Sequence, residues 1–72
     1  MSDTIRLLDV VALTEDIPSH ALRRGQVGTV VETLGDDVFE VEFSDDEGET
    51  YAMLALTATQ LLVLHYAPVA AA

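Results

Sequence analysis

Cysteine, tryptophan and lysine are all absent from this 72-residue chain. Without cysteine there is no disulfide framework and no thiolate metal site. Without lysine, the fixed positive side chains are Arg6, Arg23 and Arg24, set against thirteen acids for a formal net charge of -10. That balance repels the phosphate backbone of a nucleic acid and draws cations and basic protein surfaces. Long apolar runs are missing too. Every apolar stretch falls far short of the roughly 20 residues a membrane-spanning helix requires. Asp3, Arg6 and Asp9 interrupt the first apolar residues, a pattern unlike a secretory leader, so the expected location is the cytoplasm. Internal repeats and low-complexity segments are also lacking.

What the chain does have is apolar content. Half of its residues are hydrophobic, which argues against an acidic disordered segment. The length allows one small domain over residues 1–72, with 67–72 expected as a flexible tail. A core of this size supplies only a few kcal/mol of net stability, so a partner or a second copy is a common supplement.

The order of apolar and polar residues reads as short strands. Ile5–Leu13 is the first apolar run; Val10-Val11 favours a strand there, with Leu7, Val11 and Leu13 turned inward, while Ile5–Leu8 also suits a helix. Thr14–His20 is a loop, with at most one helical turn over Ser19–Leu22. A turn over Arg23–Gln26 leads into a strand in which Val27, Thr29 and Val31 alternate with Gly28, Val30 and Glu32. Glycine inside a strand weakens it, so Gly28 marks a tight bend or a close backbone approach. Gly35-Asp36-Asp37 forms a hairpin connection. Val38–Phe43 is the clearest strand, with Phe39, Val41 and Phe43 on one face and Glu40 and Glu42 on the other. Ser44–Gly48 makes a second hairpin, and Glu49–Leu56 returns, although Ala52–Leu56 scores equally as helix. A 3₁₀ turn over Thr57–Gln60 precedes a last strand, Leu61–Tyr66, ended by Pro68. The expected fold is all-β, a small five-stranded antiparallel barrel, with Gly25, Gly28, Gly35 and Gly48 as its structural turn residues.

Arg24-Gly25-Gln26-Val27-Gly28-Thr29-Val30-Val31 resembles the glycine-valine core of an SH3-like barrel of the KOW type. The wider stretch from Leu7 to His65 resembles a small bacterial family known only as domain of unknown function 4926. The likeness rests on Leu8-Asp9-Val10-Val11-Ala12-Leu13 near the start and Gln60-Leu61-Leu62-Val63-Leu64 near the end. The resemblance implies the barrel and brings no established function. KOW-type domains often bind RNA or proteins, but this chain departs from the RNA-binding kind. Residues 32–49 hold nine acids and no base, where phosphate binding needs arginine and lysine.

The residues suggest a binding surface rather than a reaction centre. Glu40 and Glu42, with Asp36, Asp37, Asp45 and Asp46, are expected to form a contiguous negative face for a basic protein partner. Tyr51 and Leu54 are the candidate apolar anchors if one of them faces outward, with Leu54 the better fit to the core. An antitoxin- or immunity-type protein against a basic nuclease would fit, as would an accessory subunit of a larger enzyme. A KOW-like nucleic-acid regulator is the alternative, and it requires Arg6, Arg23 and Arg24 to cluster away from the acids. Self-association through Ala52–Leu56 and Leu61–Leu64 is the third reading, with its interface opposite the acids. No catalytic group is expected, because Ser2, Ser19 and Ser44 lack a supporting base. No cofactor or metal is expected either. The loop at Asp45–Glu49 lacks calcium-loop spacing, and His20 and His65 are too few for zinc.

Overall fold

The structure is a computed structural model that describes residues 4–68. Five strands follow one another: β1 (Val10–Leu13), β2 (Val27–Gly35), β3 (Val38–Ser44), β4 (Thr50–Thr57) and β5 (Leu61–Val63). They form one antiparallel sheet in the order β4-β3-β2-β1-β5. One 3₁₀ turn, Pro18–His20, lies between β1 and β2, and another, Ala58–Gln60, joins β4 to β5. The all-β reading holds, and Ala52–Leu56 is strand, not helix.

Alternation builds the core. Phe39, Val41 and Phe43 on β3 face inward with Val30 on β2, Leu56 on β4, Val11 and Leu13 on β1 and Leu61 on β5. All five strands thus contribute to one cluster, which curls the sheet around it into a barrel-like shape. The second 3₁₀ turn ties the ends of the ladder together. Ala58 N–H donates to the Asp37 carbonyl (2.9 Å), and Thr14 N–H donates to the Gln60 carbonyl (3.0 Å). Thr57 and Gln60 form a reciprocal capping box around this turn, with Thr57 N–H donating to Gln60 Oε1 (2.9 Å).

The loop after β1 is less polar in effect than its composition suggests. Ile17 and Leu22 exchange both backbone hydrogen bonds (2.8 and 3.1 Å) and are both buried in the core. Pro18 starts the 3₁₀ turn between them. Of the glycines, Gly25 has φ +94° in the turn before β2, a backbone shape other residues resist. Gly48 sits in the β3–β4 turn, while Gly35 closes β2 opposite Val38. Gly28 is no turn residue. It lies inside β2, where an added Cβ would meet Val41 Cγ1 at 2.8 Å and the Glu42 carbonyl oxygen at 2.9 Å.

Three local expectations are corrected. Leu7 is 56% exposed, not inward, because residues 7–8 form a turn in which Leu8 takes φ 71°. That turn also excludes the helix over Ile5–Leu8. The final strand stops at Val63 instead of Tyr66, because its partner β1 begins only at Val10. The expected tail at 67–72 lies mostly outside the described residues.

Candidate functional site

β3 carries the acids that the fold holds together. Glu40 and Glu42 lie on the outer face, half-buried, with Ala55 and Met53 directly opposite them on β4. Thr50 Oγ1 donates to Glu42 Oε2 at 2.9 Å. On the other side, Glu32 of β2 stands directly opposite Glu40. Two like charges directly opposite each other in a cross-strand pair are destabilising.

Glu32 reaches this place through the irregularity of β2. Counting back from the Gly35–Val38 pair without interruption puts Glu32 opposite Val41, on the core face. Register shifts between Thr33 and Gly35 and between Val30 and Glu32 leave Leu34 and Val31 as extra residues. The first shift turns Glu32 outward to Glu40, and the second returns Val30 to Val41. Sequence reasoning missed Glu32 as part of the site. The signal was two more residues in β2 than an unbroken ladder can use.

The remaining acids do not join a single face. Asp36 and Asp37 fill the two-residue turn at one end of β3, and Asp45 and Asp46 lie past the other end. At roughly 3.3 Å per residue, the steps from Asp37 to Asp45 amount to about 26 Å. That exceeds the screening length of about 8 Å at physiological ionic strength, so the two turns act separately. Asp45 has local work of its own. Its Oδ1 accepts from the backbone N–H of Glu47 (2.9 Å) and of Glu49 (3.0 Å). Asp45→Ala is therefore expected to lower stability by about 1 kcal/mol, whereas Asp45→Asn keeps an acceptor and most of that stability. Thermal denaturation of the pair checks this, and equal losses would assign the effect to charge alone.

Tyr51 stands apart from the acid row. A register shift between Phe43 and Ser44 makes it the extra residue of β4. Its ring lies 6.3 Å from that of Phe43, and Gln26 Nε2 donates to its hydroxyl at 3.2 Å. It covers the end of the core where β2 begins. The outward apolar residue beside the acids is Met53, 49% exposed, while Leu54 packs half-buried against the core. Met53 and Glu42 being paired, apolar and acidic side chains share the outer face instead of taking opposite sides. Val27 and Leu62 continue that face across β1, flanking Ala12.

The three arginines are not gathered. Arg6 precedes β1, where its N–H donates to Asp9 Oδ2 (2.8 Å), whereas Arg23 and Arg24 lie beyond the other end of that strand. A surface depression is lined by Asp16, Arg23, Arg24, Gly25 and Gln26, and Asp16 Oδ1 accepts from Arg24 N–H at 2.8 Å. Among the described residues no group of three or more histidines and acids is placed to hold a metal ion. His20 is exposed, its Nδ1 3.0 Å from Ser19 Oγ, and His65 lies beyond β5. No helix of the described residues is long and apolar enough to cross a membrane.

No curated protein and no solved structure matches the chain significantly. One family does, and its extent coincides with the strands just described, from the turn before β1 to the last residue of β5. Residues 7–63, most of the chain, match the family described as Domain of unknown function (DUF4926), and the chain belongs to that family.

Proposed function

We propose that this domain is a non-catalytic binding module that receives a basic protein surface on the outer face of β2, β3 and β4. The observation that carries this is the placement of Glu42 directly opposite exposed Met53, with Glu40 and its cross-strand partner Glu32 in the next row of the same face. Acids dispersed over the surface would serve solubility equally well. Opposing Glu32 and Glu40 in one cross-strand pair costs stability, a common trade at a site that serves a partner. The carboxylates supply fast, charge-selective association, and Met53 supplies the apolar contact that charge alone does not. A nucleic-acid role has less support, since Arg6 and the Arg23–Arg24 pair lie at opposite ends of β1.

Affinity capture from lysate of the source cell tests this reading. Wild type is compared with Glu40→Gln/Glu42→Gln and with Asp36→Asn/Asp37→Asn, all checked for folding. The expected result is a basic protein held by wild type and by the turn variant, released by salt, and lost from the β3 variant. Equal retention by all three, or by none, would overturn the proposal.

A further inference from the structure

The outer face ends at β4, and β4 is an unusual edge. Thr50–Thr57 reads Thr-Tyr-Ala-Met-Leu-Ala-Leu-Thr, eight residues without a charge or a proline. Edges of this length are ordinarily guarded by lysine, proline or an inward charge, because their backbone groups template another strand. Here the only irregularity is the extra residue Tyr51, near one end.

The direction of the free backbone groups follows from the ladder. Ala58 N–H donates to the Asp37 carbonyl, which makes Asp37 and Ala58 a hydrogen-bonded pair. Antiparallel pairs alternate between bonded and non-bonded. Leu56, Leu54 and Ala52 are therefore bonded to β3, while Ala55 and Met53 direct N–H and C=O away from it. Ala55 and Met53 are also the residues opposite Glu40 and Glu42, and both are exposed. Among the described residues β4 pairs with β3 alone.

We infer that an extended segment of the basic partner adds to β4 as a sixth strand, with lysine or arginine at every second position. This rests on the acidic-face reading above and specifies how it operates. A strand bonded to Met53 and Ala55 places its alternate side chains on the outer face, two strand spacings, or roughly 9.6 Å, from Glu42 and Glu40. Long basic side chains cross that gap. Ala55 offers nothing beyond Cβ to block the path to Glu40 and Glu32. The intervening side chains of the added strand fall on the inner face beside half-buried Leu54 and Ala52, so they should be apolar. A second copy of β4 is a poorer occupant. It brings no base, and it brings a second chain of charge -10.

The test uses the full chain and two labelled peptides of identical composition. In one, valine and arginine alternate; in the other, the arginines are contiguous. Fluorescence anisotropy at physiological salt should show the alternating peptide binding at least about tenfold tighter, a preference worth roughly 1.4 kcal/mol. Met53→Pro removes an N–H that faces the edge, not β3, and should erase the preference. Methylating the peptide nitrogens that face β4 should do the same without touching the protein. Equal binding of both peptides, weakened in both by Glu40→Gln/Glu42→Gln, would overturn the added strand and leave the acidic-face reading standing. Equal binding indifferent to those substitutions would overturn both. A wild-type dimer that Met53→Pro converts to monomer would give the edge to a second copy and overturn the inference.

Discussion

Gly28→Ala is expected to lower the melting temperature by roughly 10–20 °C, since about 1 kcal/mol corresponds to 4–8 °C in a domain of this size. The added methyl would sit 2.8 Å from Val41 Cγ1, 2.9 Å from the Glu42 carbonyl oxygen and 3.0 Å from Phe43 Cδ2. A side chain can turn away, but the carbonyl belongs to the β3 ladder and cannot. Overpacking of this kind costs about 1–3 kcal/mol, and the fixed oxygen places Gly28 at the upper end. The β2–β3 pairing through Thr29–Glu42 should weaken with it, loosening Glu42 on the outer face. A melting shift below a few degrees would show that β2 and β3 stand further apart at Gly28 than described.

Phe43→Ala is expected to remove about 3–5 kcal/mol. A folded domain of this length holds roughly 4–11 kcal/mol in total. The variant should therefore unfold at low urea or be partly unfolded in water. Phe43 is fully buried, and it also supports Tyr51 from beneath, so its loss uncovers the end of the core where β2 begins. Phe43→Leu retains most of the volume and should cost about 1.5 kcal/mol or less. Urea titrations of the two variants with a common slope would measure the difference. A Phe43→Ala loss under 2 kcal/mol would mean that the cavity collapses and that the core is less tightly packed at this strand.

The parts of the fold legible in the sequence are those set by local alternation. Phe39, Val41 and Phe43 announce their face against Glu40 and Glu42, because strand period and hydrophobicity point the same way. The turns at Asp36-Asp37 and Asp45–Gly48 are legible from turn chemistry. Gly28 is legible as an anomaly, a weak strand former where the strand is otherwise strong. What was not legible depends on pairing across the sheet. Glu32 looks inward by simple counting and is turned outward by an extra residue in β2. Tyr51 looks like the outward anchor and is 49% exposed, but as the extra residue of β4 it lies against Phe43 and not in the acid row. Met53, which has no local distinction, takes the outer position by register. The length of β5 is set by where β1 begins, a property of a segment some fifty residues earlier. Ile17 and Leu22 are hidden among polar neighbours and declare themselves only by pairing with each other.

The extra residues in β2 and β4 give β3 a role beyond carrying acids. Each neighbour of β3 holds slack: Leu34 and Val31 on one side, Tyr51 on the other. A codon lost near those positions can be absorbed by straightening the irregularity, with every other side chain keeping its face. β3 has no such reserve. One residue gained or lost between Val38 and Phe43 would exchange the inner and outer sets on part of the strand. β3 is thus the fixed ruler of the domain, and over evolutionary time length changes should accumulate on either side of it and spare the strand itself.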